Sequence, residues 1–191
     1  YRQTKKALET GLEDLNRENR GTEARKNLRL ALKDWPKKVL LKETNRHYPP
    51  YWQGLHVTAH QIFAKLLRDL PDDEFRMDVQ QDKGRDATRI CFAMADHPGV
   101  FSRFTGALAL SGANVVDART FTSKDGFATA VFWVQDSEGH PYMTARLGRL
   151  EKMIQDTLKG TVVASDIIKV RDKIKKRERA FRVPTSINFD N

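Results

Sequence analysis

The stretch from Ala95 to Ser123, A-D-H-P-G-V-F-S-R-F-T-G-A-L-A-L-S-G-A-N-V-V-D-A-R-T-F-T-S, leaves the chain few folds to choose from. It continues an alternating apolar run, Thr88 to Ala95, that reads as a strand, and it turns at Asp96-His97-Pro98-Gly99. Phe101, Phe104, Ala107 and Leu108 then recur at helical spacing between about Gly99 and Ser111, and Ala113 to Thr122 reads as strand again. Strand, glycine turn, helix, glycine, strand places a helix N-terminus, with its unpaired amides, at the end of a sheet. Such an end can hold a carboxylate or another anion.

The same alternation extends to both sides. Phe75, Met77 and Val79 alternate with polar residues, and Asp82-Lys83-Gly84-Arg85-Asp86 reads as the turn of a hairpin with the Thr88 strand. Ser123-Lys124-Asp125-Gly126 is a second hairpin turn, leading into a strand from Phe127 to Gln135. After a loop from Asp136 to Pro141, a helix spans Thr144 to Leu158, with Leu147, Leu150, Ile154 and Leu158 on one side. The order β-α-β-β-α requires one more strand, and Arg182 to Phe189 supplies Val183, Ile187 and Phe189 for it. The expected class is α+β: a ferredoxin-like βαββαβ domain over residues 73–191, with a basic helical insertion at about 160–180.

Residues 1–72 read as a helical connector. Leu8, Leu12 and Leu15 keep helical spacing before Gly21, which is expected to end a first helix, and Thr22 opens a second with Leu28, Leu30, Ala31, Leu32 and Trp35. Trp35-Pro36 marks a break. Tyr48-Pro49-Pro50-Tyr51-Trp52 is expected to be an aromatic corner rather than regular helix. Thr58 and Gln61 form a capping-box pattern ahead of Ile62, Phe63, Leu66 and Leu67, a helix expected to stop by Pro71.

Composition narrows the function classes. Apolar residues reach 39% and charged residues 31% of 191, so part of the chain is solvated helix. No run is long enough to cross a bilayer, and no secretory signal pattern appears. The single Cys91 excludes an internal disulfide and fits a reducing cytoplasm; its alternating apolar setting favours a packed core thiol over a nucleophile. The chain opens at Tyr1 without a Met and reads as a piece of a larger protein. The net charge of +9 concentrates in Lys169 to Arg182, with eight basic and two acidic residues. That run suits phosphates, an acidic surface or another domain, and a solvated helix face or linker is the favoured reading.

The candidate sites carry plain alternatives. In Asp96-His97-Pro98-Gly99, Gly99 permits close backbone approach, Pro98 presets a helical turn, and Asp96 either caps the helix or receives a ligand's ammonium. Asn114, after Gly112-Ala113, offers donors and an acceptor to an amide or amino-acid ligand, while Gly112 equally suits a Schellman helix ending. His56 and His60 have i, i+4 spacing without the accompanying Glu of a zinc helix, so no metal ligands are assigned. Asp72-Asp73-Glu74 reads as a solvated loop. His97 has no nucleophile or base pattern around it, and no residue is assigned as catalytic. An RNA-binding RRM shares the βαββαβ order, but Asp125-Gly126-Phe127 has an acid where that module wants a basic residue.

The run D-H-P-G-V-F-S-R (96–103), G-A-N-V-V-D-A-R (112–119) and F-W-V-Q-D (132–136) resembles an ACT domain, the amino-acid-sensing module. With A-F-R-V-P (180–184) and R-H-Y-P-P-Y-W (46–52), the chain is more narrowly similar to the first ACT domain, and its helical connector, of the bifunctional PII uridylyltransferase/uridylyl-removing enzyme family. In that family a nucleotidyltransferase domain modifies PII proteins, an HD domain removes the group, and a C-terminal ACT pair senses glutamine in nitrogen regulation.

The resemblance implies a non-catalytic, cytoplasmic module with glutamine as effector, PII as the parent's substrate and Mg²⁺ in the parent's catalytic domains. This chain has neither the G-S…D carboxylates nor the His-Asp dipeptide those domains need, and no cofactor is expected in it. ACT domains pair side by side, so a homodimer is expected, with no nucleic acid or membrane partner. The effector site so implied is Asp96, His97, Pro98, Gly99, Val100 and Phe101, with Asn114 reaching in from the adjacent domain. Asp96 would meet the ammonium, and the amides of Gly99, Val100 and Phe101 the carboxylate.

Overall fold

A computed structural model describes residues 2–160, with side chains from residue 16 onward; the expected strand Arg182 to Phe189 and the basic run before it lie outside the described residues. The elements are α1 (Arg2–Ala31), α2 (Lys37–Asn45), α3 (Pro49–Gly54), α4 (Val57–Leu67), β1 (Phe75–Asp82), β2 (Ala87–Ala95), α5 (Val100–Leu110), β3 (Asn114–Thr122), β4 (Phe127–Gln135) and α6 (Thr144–Leu158).

The strands form one antiparallel sheet in the order β1-β2-β4-β3. From β2 onward the chain runs β2-α5-β3-β4-α6, five elements of a ferredoxin-like unit, with α5 and α6 packed on one face. The sixth position, beside β2, belongs to β1, which pairs from Phe75↔Met94 to Asp82↔Ala87. The hairpin of Phe75–Asp82 with the Thr88 strand is as its alternation predicts, and the expected late strand lies outside the described residues.

The two central strands are buried on both faces, which sets the layering. Ile90, Phe92, Ala130, Phe132 and Val134 face Val100, Phe104 and Leu108 of α5 and Leu150 and Ile154 of α6. Cys91, Ala93, Val131 and Trp133 face Leu28 of α1, Tyr51 and Trp52 of α3, and Phe63 and Leu67 of α4. The connector is therefore the third layer. It covers the sheet face that an RRM uses to stack bases.

Three local expectations in the connector are corrected. α1 runs through Gly21 without a break, because Gly21 is buried against α3, where a Cβ would already touch Trp52 Cβ at 3.7 Å. Pro49 and Pro50 open α3 instead of preventing it: they occupy the first helical turn, where an N–H has no intrahelical acceptor. α4 starts one residue before Thr58, with the His56 ring nitrogen accepting from Thr58 N–H as the N-cap. An imidazole replaces the expected hydroxyl.

Candidate functional site

The β2–α5 turn is built on one backbone requirement. Gly99 is the N-cap of α5 at φ 84°, ψ 0°, and a Cβ there would meet nothing within 4 Å, so conformation rather than space selects glycine. Val100 N–H donates to His97 O at 3.2 Å and Arg103 N–H to Gly99 O at 2.9 Å. Of the three amides expected for a carboxylate, that of Val100 is thus committed to the turn. The amides of Gly99 and Phe101 have no backbone acceptor among the described residues and face the α5 end. Val100 itself is buried, Phe101 half-buried, Pro98 and Gly99 exposed.

Asp96 does not cap the helix. Its N–H donates to Gly126 O at 2.8 Å, and its Oδ2 accepts from Thr122 Oγ1 at 3.1 Å. The residue is exposed, which leaves its second oxygen available to a cationic group. Half-buried His97 turns Nδ1 toward Pro98 O at 3.3 Å and borders a cleft of about 620 Å³ with Asp72, Asp73, Glu74 and Glu151. The acidic cluster read as a solvated loop thus rims a cleft next to this turn.

Asn114 lies elsewhere. Eight residue steps of β3 separate it from Thr122, about 25 Å at the rise of a strand. One chain cannot bring Asn114 and Asp96 to the same small ligand. Gly112, at φ 70°, ends α5 in a Schellman pattern, with Ala113 N–H donating to Leu108 O and Gly112 N–H to Ala109 O. Asn114 Nδ2 donates to Asp136 O at 3.1 Å. Beside it lies a second cleft, of about 430 Å³, lined by Gly112, Asp136, Tyr142, Arg146 and Arg149. The His140 N–H above all, then that of Glu138, holds the Asp136 carboxyl below the usual range.

Sequence reasoning missed what stands behind the turn. Arg46, buried at the end of α2, extends its guanidinium to three elements. Nε donates to Asp125 Oδ1 and Oδ2 at 3.2 and 3.1 Å and Nη2 to Oδ2, while Nη1 donates to Glu43 at 3.1 Å and to Leu67 O at 3.3 Å. Burial opposes the charge on both partners, yet the mutual hydrogen bonds and charges prevail, raising Arg46 and holding the Asp125 carboxyl low. Lys124 N–H donates to Arg46 O at 2.7 Å, and Lys124 Nζ to Asn45 O at 3.0 Å. No spacing rule links positions 79 apart, although Arg46 opens the R-H-Y-P-P-Y-W run.

Other residues weighed for chemistry have structural settings. Cys91 is fully buried, and burial pushes its thiol up to about 12, the state of a core residue and not of a nucleophile. His56 is the α4 cap, whereas His60 is buried with Nε2 against Tyr51 O, so the two do not converge. Among the described residues no three His, Cys, Asp or Glu side chains are grouped to hold a metal ion. None of the described helices is long and apolar enough to cross a membrane.

Comparison with known proteins gives this geometry a context. Residues 89–136 match the ACT domain family, so the chain contains an ACT domain spanning β2, α5, β3 and β4. The whole chain is similar to two proteins named bifunctional uridylyltransferase/uridylyl-removing enzyme. The one from Ruegeria pomeroyi is 61% identical and the one from Cereibacter sphaeroides 62%, the chain covering 22% and 20% of their lengths. A Rhodospirillum rubrum protein of the same name is 33% identical over the whole chain and 21% of its own length. The chain thus spans about a fifth of the length of the curated relatives it matches.

Proposed function

We propose that this ACT-containing segment, similar from end to end to bifunctional uridylyltransferase/uridylyl-removing enzymes, is the glutamine-sensing regulatory module of such an enzyme. The parent would add and remove uridylyl groups on PII proteins in the cytoplasm, in nitrogen regulation, while this segment does no chemistry. The observation that carries the reading is the β2–α5 turn. An exposed Asp96 carboxylate, steadied on one oxygen, stands beside the Gly99 and Phe101 amides at a helix N-terminus. An amino acid offers the two matching charges: its ammonium to Asp96, its carboxylate to the amides.

The distance from Asp96 to Asn114 makes the complete site a property of two domains. Among the described strands β3 lies at an edge, with Val115 and Val116 exposed at 47% and 55%, a surface suited to a second ACT domain. Pairing there would bring the Asn114 end of one domain toward the turn of the other. The ligand then favours the paired arrangement by its differential affinity, which is the requirement for allosteric control.

Calorimetry with glutamine on the wild type, Asp96→Ala and Gly99→Asp tests the reading. Binding to the wild type that both substitutions weaken supports it. Equal affinity in all three removes this turn from the site. Sedimentation with and without glutamine separates a rival: dimerisation with no measurable glutamine binding makes the segment a structural spacer.

A further inference from the structure

We propose that Arg46 is a positioning residue for the β2–α5 turn, acting from the connector through Asp125 of the β3–β4 hairpin. The proposal rests on the reading of that turn as an effector site. Its physical chain is short. Asp125 sits in the four-residue turn whose neighbours hold Asp96 from two sides: Gly126 O accepts the Asp96 amide, and Thr122 Oγ1 donates to the Asp96 carboxylate. Ser123 Oγ ties the same turn internally, donating to Asp125 at 2.7 Å and accepting from Phe127 N–H at 2.9 Å.

On its other side the turn itself is tied by hydrogen bonds to the end of α2, while Phe121 of β3 packs on Tyr51 of α3. The Arg46 fork grips the Asp125 carboxylate, the Lys124 amide bonds Arg46 O, and Lys124 Nζ bonds Asn45 O while lying 5.6 Å from the Tyr48 ring. A paired guanidinium and carboxylate in a fork fix orientation as well as distance. With Arg46 5% exposed and also bonded to Glu43 and Leu67 O, this anchor is itself held rigidly by α2 and α4. Movement of α2 relative to the sheet therefore moves the hairpin, and with it the oxygen and the hydroxyl that place Asp96. Coupling is reciprocal: a ligand that fixes Asp96 must also bias the Arg46–Asp125 contact.

Amide hydrogen exchange by NMR on the full chain tests this, with Asp125→Asn as the first variant. That change leaves Arg46 paired with Glu43, so no buried charge is orphaned. Arg46→Lys, which keeps the charge and loses the fork, is the second. In either variant the Asp96 amide is expected to exchange about tenfold faster while amides at the centre of β4 keep their rates, the mark of local release. An unchanged Asp96 rate, or Asp96 and β4 accelerating together, overturns the proposal. Where wild-type glutamine binding is measurable, Asp125→Asn is expected to weaken it about fivefold. Unaltered affinity with a loosened turn also overturns it. If the wild type binds no glutamine, the sensing reading fails by itself, and the Asp96 exchange rate still decides the role of Arg46.

Discussion

The imidazole of His47 and the phenol ring of Tyr51 lie face to face, with centroids 3.6 Å apart and planes 7° from parallel. Around this pair the connector packs Trp52, His60 and Phe63 in tilted and edge contacts, all under the sheet. The stack is a neutral design. Burial lowers the His47 pKa despite its bond to Glu43, and burial lowers His60 to about 4 despite the Tyr51 carbonyl it faces.

Acid should therefore loosen the connector. Below 6.5 an unfolded chain takes a proton that folded His60 refuses until about pH 4. The unfolded state binds more protons across that window, so stability falls as pH drops, by roughly 3 kcal/mol from this residue. Urea midpoints measured between pH 7 and 4 check the slope. His60→Gln, which cannot titrate, is expected to flatten it.

Gly99→Ala isolates the conformational demand of the turn. No neighbour clashes with the added methyl, so the expected cost is that of a left-handed L-residue alone, about 1–2 kcal/mol in urea unfolding. A loss well above this range would mean that the turn tolerates no side chain for another reason.

Trp133 supplies a different test. Its indole N–H donates to Asp82 Oδ2 at 2.9 Å beneath the Arg85 guanidinium, which lies 4.1 Å from the ring centroid. Asp82→Ala orphans that donor and is expected to cost about 1–3 kcal/mol, with a smaller loss for Asp82→Asn, which keeps an acceptor. Equal costs for the two variants would show that the indole bond contributes nothing.

Phe104 anchors α5 to the sheet. Its ring lies 4.3 Å from Phe92 and 4.7 Å from Phe132, and it is fully buried. Phe104→Ala is expected to destabilise the chain by about 3–5 kcal/mol in chemical denaturation.

Local order in the ACT half was legible because each strand and helix carries its own period. The Phe127–Gln135 strand and the Thr144–Leu158 helix have the boundaries that their patterns predict. The connector was harder. Prolines that break a helix interior also start one, and whether Pro49-Pro50 does either depends on Tyr51 and Trp52 finding a core across the sheet. Gly21 looks like a stop until Trp52 is seen against it. The place of β1 beside β2 follows from their short hairpin turn, which the Asp82–Asp86 run signals. At the site, Asp96 and Gly99 could be singled out from their turn chemistry. Arg46 could not, because its partner Asp125 is brought near only by the fold.

The order β1-β2-β4-β3 also says how the sheet is assembled in time. Two of its three pairings, β1 with β2 and β3 with β4, are hairpins closed by turns of a few residues, which form on the order of 1–10 μs. The β2–β4 pairing alone joins residues far apart along the chain, from Thr88↔Val134 to Ala95↔Phe127, with α5 and β3 between them. Closing that loop is the entropically costly event, so the seam between the two hairpins is expected to form after them. The β2–α5 turn and the β3–β4 turn meet at one end of this seam, through Asp96 and Gly126. The end that carries the proposed effector turn is thus also the end where the two halves of the sheet must find each other.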